Sequence, residues 1–184
     1  MLKFAPNKQK FMAKAKTAKE SLAVMTNLVL PNETNNLGNM FGGELLASMD
    51  RISSISAKMH GGSFLVVTAS VNHVAFNIPI PMGSTVKLES KVTRAFKSSM
   101  EVYVDVYVYD YENCVYNQTN SGIYTFVAVD NDNKPVQVPE LIPESEQEIE
   151  RYEAALRRKQ LSLILAGRMN PADAHELKSL FIAE

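Results

Sequence analysis

Asn35-Asn-Leu-Gly38-Asn-Met-Phe41-Gly42-Gly43-Glu-Leu-Leu-Ala-Ser-Met49-Asp50 is the stretch whose reading decides the fold. It begins as loop: Pro31 to Gly43 holds four asparagines, three glycines and one proline, residue types that build tight turns. It continues as helix. Leu45, Met49, Ile52, Ile55 and Met59 recur every three or four residues from Glu44 to His60, and Gly61-Gly62 stops the pattern. The first N–H groups of any helix lack internal partners and sit at the positive end of its dipole. With no Cβ at Gly42 or Gly43, a phosphate, carboxylate or developing oxyanion can approach them closely. Asp50 follows Gly43 by seven residues, almost two turns, which puts both on one helix face. Its carboxylate is the candidate general base or nucleophile.

Downstream of the helix the apolar period changes to two. Phe64–Asn77, Ser84–Phe96, Met100–Tyr109 and Tyr116–Val129 read as strands joined by short turns, and Ser21–Leu30 as a strand before the loop. Val86, Leu88, Ser90 and Val92 alternate with Lys87, Glu89, Lys91 and Thr93, so one side is predicted buried and the other wet. This order predicts an α+β domain, with the long helix packed on one face of a strongly curved antiparallel sheet. Tyr103, Tyr107 and Tyr109 point to the other face, where self-association is the expected cover. Past Pro143, helix formers return. Glu144–Leu165 reads as a charged helix, and Asn170-Pro171 as the cap and first-turn proline of a short last helix.

Composition bounds the rest. The chain has 184 residues, 46% of them apolar, a formal net charge of −1 and a pI near 6.3. That balance exerts no global pull toward nucleic acid or an acidic membrane. Nothing approaches the roughly 20 apolar residues needed to span a bilayer. The single cysteine, Cys114, leaves no internal disulfide and fits a cytoplasmic location. Lys3, Lys8, Lys10, Lys14, Lys16 and Lys19 precede the first acidic residue, Glu20, which reads as a basic tail over 1–19 before a domain over 20–140 and a helical extension over 141–184. His60, His73 and His175 match no zinc spacing, and no metal is expected.

The segment Pro31–Asp50 closely resembles the signature of the hotdog-fold acyl-CoA thioesterases, the group that includes brain-type acyl-CoA hydrolase and its bacterial relatives. The resemblance continues through Val67-Thr-Ala-Ser-Val-Asn-His-Val-Ala-Phe76, Ser98-Ser-Met-Glu-Val102 and Tyr124-Thr-Phe-Val-Ala-Val-Asp130, covering about residues 20–140. It implies hydrolysis of acyl-CoA thioesters with coenzyme A as part of the substrate and no separate cofactor. It also implies dimers with active sites at the subunit interface, often three dimers to a hexamer. On the matching positions Asp50 becomes the catalytic carboxylate, and Asn35 a polar partner from the second subunit. The N–H groups of Phe41, Gly42 and Gly43 polarise the thioester carbonyl.

Coenzyme A carries a 3′-phosphate and a pyrophosphate, which call for basic and hydroxyl groups. Arg94, Lys97, Ser98 and Ser99, at a turn between two strands, match a family region that contacts coenzyme A. Arg94 continues the register of Val92 and is expected on the inner face. Arg157, Arg158 and Lys159 in the tail helix are a second candidate set, and Phe41 and Thr68 complete the expected substrate contacts. Two alternatives stand beside hydrolysis. One is a module that binds acyl-CoA without turnover; the other is a hotdog dehydratase, whose usual histidine is missing because none precedes His60.

Overall fold

Residues whose side chains alternate between apolar and polar pair into a five-stranded antiparallel sheet. The structure, a computed structural model, describes residues 14–62 and 65–181. The tail lysines Lys3, Lys8 and Lys10 therefore lie outside the described residues, as does Phe64, the expected start of a strand. In chain order the elements are β1 Lys16–Thr17, β2 Ala23–Leu28, α1 Gly42–Gly61, β3 Val66–Ala75, β4 Thr85–Ala95, β5 Ser99–Asp110, β6 Val115–Ala128, β7 Leu141–Ile142, α2 Glu146–Leu165 and α3 His175–Lys178. The large sheet runs β2-β4-β5-β6-β3, while β1 pairs in parallel with β7.

On its inner face the sheet presents Val86, Leu88, Val92, Met100, Val102, Val104, Val106, Tyr124 and Phe126 to α1, all buried. Leu45, Met49 and Ile52 meet them as predicted, but Ile55 and Met59 do not: both are exposed. Past Ile52 the buried side of the helix consists of Ser53, Ser56, Ala57 and His60. Small side chains bring helix and sheet together there, and Ser56 donates to the Ser90 carbonyl at 3.0 Å. Gly122 serves the same approach from β6, since a Cβ on it would lie 2.9 Å from Met49 Sδ.

His60 lies in the last turn of α1, where the helix dipole favours a cation, yet it is not one. It is fully buried, and its Nε2 lies 3.0 Å from the Pro139 carbonyl. A carbonyl only accepts, so Nε2 carries the hydrogen. Burial pushes the ring's pKa below its usual 6.5, which keeps it neutral.

Two boundaries shift for local reasons. Strand β2 starts at Ala23 rather than Ser21, whose hydroxyl instead accepts from Val92 N at 2.9 Å. The tail helix starts at Glu146, where Ser145 and Glu148 form a reciprocal capping box.

α2 crosses the outer face of the sheet and changes the expectation for its tyrosines. The guanidinium of Arg151 lies 3.8 Å from the Tyr103 ring centroid and makes two bonds to Asp105, of 2.8 and 2.9 Å. Arg158 makes two bonds to Glu101, of 2.9 and 2.7 Å. Tyr103 is thus covered, at least in part, by its own chain. Tyr107 lies further along, under Lys87 at 4.8 Å.

Candidate active site

The loop leading into α1 is held by its own backbone. Phe41 N donates to the Glu33 carbonyl at 2.8 Å, and Met40 N to that of Ile80 at 2.7 Å. Phe41 is the extended residue before the helix and offers no side-chain cap. The helix therefore begins at Gly42, two residues before the expected Glu44, and both glycines lie in its first turn. They differ in surroundings. A Cβ on Gly42 would meet the Phe76 ring at 3.4 Å, whereas one on Gly43 would meet nothing within 4 Å.

Asn35 lies in the same loop. Its Oδ1 accepts from Leu37 N at 2.9 Å and from Asn39 N at 3.2 Å, a turn that leaves the amide nitrogen free of either bond. Asn35, Met40, Gly42, Leu45, Phe76 and Asn120 line one cavity of about 320 Å³.

Asp50 is half-buried in the middle of α1, and its Oδ1 accepts from the Thr68 hydroxyl of β3 at 2.9 Å. Tyr124 belongs to the same neighbourhood. Its hydroxyl donates to the Leu46 carbonyl at 3.2 Å, and burial together with the charge of Asp50 pushes its pKa up to about 12. The phenol stays neutral and anchors the helix beside the carboxylate. Tyr124 opens the run Tyr124–Asp130 that resembles the family, and a tyrosine on the apolar register of a strand is the signal for this role.

The candidate set therefore falls into two groups within one protomer. At 1.5 Å of rise per residue, Asp50 lies about 10 Å along the axis from Gly43. One thioester carbonyl, about 1.2 Å long, cannot meet both. Asn35 and the helix start form one group; Asp50 and Thr68 form the other. Sharing a helix face does not bring them together.

The expected coenzyme A contacts also divide. A bulge at Thr93 shifts the register between Val92 and Arg94, so Arg94 pairs with Glu101 and leaves the inner face. Its guanidinium instead lies on the outer side, 4.0 Å from the Tyr152 ring centroid, and donates to the Tyr152 carbonyl at 2.9 Å. Lys97 is exposed and Ser98 half-buried at the β4–β5 turn. Ser99 and Arg158 line a second cavity, on the outer face, and Arg157 is half-buried on α2. Among the described residues no group of His, Cys, Asp or Glu could hold a metal ion, and no helix is long and apolar enough to cross a membrane.

A model of the Thioesterase superfamily matches residues 37–115. An acyl-CoA thioester hydrolase of Bacillus subtilis, itself uncharacterized, is 42% identical over 140 residues, which span 76% of this chain and 81% of that one. The acyl-CoA hydrolase of Staphylococcus aureus has been solved as alanine variants of an aspartate, a threonine and an asparagine, and with coenzyme A and butyryl coenzyme A bound. Its aspartate variant superposes with a TM-score of 0.80 at 34% identity, covering 84% of this chain and 94% of that one. An apo-hexameric acyl-CoA thioesterase superposes with a TM-score of 0.79 at 38% identity, covering 84% and 98%. A long helix on a five-stranded antiparallel sheet, the loop motif that enters it and these relatives agree: the chain belongs to the acyl-CoA thioester hydrolases of the thioesterase superfamily, with the hotdog fold.

Proposed function

We propose that the protein hydrolyses acyl-CoA thioesters to a free acid and coenzyme A, in active sites that each combine two protomers. Asn35 and the N–H groups of Gly42 and Gly43 of one protomer face Asp50 and Thr68 of the other; the Phe41 N–H, expected to join them, is already committed to the Glu33 carbonyl. The observation that carries this reading is the Asp50–Thr68 pair on a helix whose N-terminal N–H groups lie too far away to act on the same carbonyl. In the Staphylococcus enzyme the altered asparagine and aspartate have the same sequence separation as Asn35 and Asp50.

Chemically the task is light. The N–H groups stabilise the oxyanion that forms on the carbonyl, and the carboxylate delivers oxygen to the carbon, from a water it deprotonates or from itself. The C–S bond then breaks, and the departing thiolate needs little assistance. Thr68 holds one oxygen of Asp50, leaving Oδ2 to react. Assembly as a dimer completes the site, and the hexameric relatives make a trimer of dimers the assembly to test. The free edge of β3, with exposed Val67 and Val71, is the surface we assign to pairing. We further read 20–140 as the catalytic domain and 141–184 as an extension, of which α2 lies over the sheet. The exposed free thiol of Cys114 suits a reducing compartment such as the cytoplasm.

Thiol release from a series of acyl-CoAs tests the activity, and no release from any chain length would overturn it. A single turnover in ¹⁸O-water distinguishes the two roles of Asp50. Label appears in the product acid when water attacks; when Asp50 attacks, the first acid released takes an enzyme oxygen instead.

A further inference from the structure

Asn120 places an amide on the apolar side of a strand. It continues the inner register of Gly122, Tyr124 and Phe126 on β6 and is 2% exposed. Burying an amide there costs free energy unless its polar atoms are bonded. Its Oδ1 accepts from Ile78 N at 3.3 Å, and its Nδ2 donates to the Ile78 carbonyl at 3.2 Å and to the Thr119 hydroxyl at 3.3 Å. One side chain thus engages both backbone groups of a single residue, as a neighbouring strand does in a ladder.

That contact lies where the ladder stops. The β3–β6 pairing ends at Ala75 and Ser121, and Pro79 and Pro81 have no N–H with which to extend it. Asn120 takes over from the ladder and holds the chain beyond β3 against the sheet.

The held segment carries the loop that enters α1. A Cβ on Gly42 would come within 3.4 Å of the Phe76 ring. The Ile80 carbonyl accepts from Met40 N at 2.7 Å, Asn39 pairs with Pro81, and Met82 N donates to the Gly38 carbonyl at 2.8 Å. A continuous path therefore runs from Asn120 through Ile78 and Ile80 to Met40 and the helix start. Buried polar groups that are fully bonded fix one geometry. Donors that stabilise an oxyanion need such a geometry, because they act only from a fixed place.

We propose that Asn120 is a positioning residue for hydrolysis, which sets the N–H groups of Gly42 and Gly43 through the segment 76–82 without itself acting on the thioester. This role rests on the acyl-CoA reading above, but the hold of Asn120 on the loop is measurable apart from it.

Two variants of the full chain test the proposal. Asn120→Leu keeps the volume and removes both bonds to Ile78; Asn120→Thr suits a strand, and its hydroxyl is too short to reach both groups. Hydrogen exchange read by mass spectrometry reports on the Met40 and Met82 amides, and thiol release from one acyl-CoA gives kcat and KM. Exchange at both amides is expected to quicken by about tenfold. With it kcat should fall by about tenfold or more while KM stays within about twofold, because a misplaced donor weakens the transition state rather than substrate binding. A raised KM at unchanged kcat would make Asn120 a substrate contact and overturn the proposal. Lowered kcat with wild-type exchange, or faster exchange with wild-type kcat, would overturn it equally. Where Asn120→Leu does not fold, Asn120→Thr is scored by the same criteria. Absence of thiol release from the wild type defeats the hydrolase reading instead, and exchange at Met40 then still decides whether Asn120 holds the loop.

Discussion

Thr68 Oγ1 donates to Asp50 Oδ1 across 2.9 Å, tying the edge strand of the sheet to the middle of its buried helix. One oxygen of the carboxylate is thereby fixed in place while the other remains available. Because β3 has a free edge, the pair lies beside the surface where a second protomer is proposed to dock.

Asp50→Ala is expected to lower thiol release by about 10²–10⁴-fold, the usual contribution of a positioned acid–base group. Thr68→Val, which removes the bond and keeps the shape, should lower kcat by about tenfold, since a bond to a charged group contributes about 1.5 kcal/mol or more. Steady-state kinetics with one acyl-CoA measure both. Wild-type rates in Asp50→Ala would remove it from the reaction.

Sharing of the site predicts complementation. Asn35→Ala and Asp50→Ala, each inactive alone, are co-expressed so that their protomers mix. Half of the dimers are then mixed, each with one intact site of two, and about a quarter of the wild-type rate should return in a symmetric assembly. No recovery would place Asn35 and Asp50 in one protomer's site.

The clamp of α2 on the sheet should be costly to open. Glu101 is 4% exposed and Arg158 28%, so Arg158→Leu leaves a buried carboxylate without its partner. A loss of about 3 kcal/mol is expected, the lower end for such a break because Arg158 is partly solvated. Glu101→Leu/Arg158→Leu should recover most of it. Urea denaturation curves provide the comparison.

Gly122→Ala brings a Cβ to 2.9 Å from Met49 Sδ and 3.1 Å from the Tyr124 ring. Overpacking of this kind costs about 1–3 kcal/mol, and the shift of α1 should raise KM or lower kcat as well. A thermal melt at unchanged activity would show that the helix position is not critical.

His60 makes stability depend on pH. Its folded pKa lies below the unfolded 6.5, so between the two the unfolded chain binds more protons and stability rises with pH. The contribution is complete above 6.5 and is lost as pH falls below it. His60→Gln should flatten the fall in urea midpoint between pH 7 and 5; an unchanged slope would assign the acid sensitivity to other groups.

Much of the fold was legible because it rests on local patterns. Period two over Thr85–Ala95 and Ser99–Asp110 reflects one buried face per strand, and the apolar spacing of Leu45, Met49 and Ile52 reflects a helix lying on that face. The Gly61-Gly62 stop works by backbone conformation alone, with Gly62 at φ 62°. Where patterns failed, contacts distant in sequence had intervened. Ile55 and Met59 continue the helical spacing yet are exposed, because the close approach to Ser90 selects Ser56 and Ala57 instead.

Asp50, Thr68, Asn35 and the helix start were nameable from sequence, since residue type and motif order are local properties of the chain. Their division between two protomers was implied by the family resemblance alone; residue spacing could not give it, because it depends on helix rise and on which strand lies against the helix. Arg94 makes the same point on a smaller scale. Alternation alone puts it on the inner face, and a single bulge at Thr93, stabilised by partners in β5 and α2, turns it to the outer one. The sequence by itself determined most of the elements and the family, and it named the candidate groups. The tertiary structure decided which face each group occupies and which groups can meet, because both depend on register and distance between segments that the chain order does not specify.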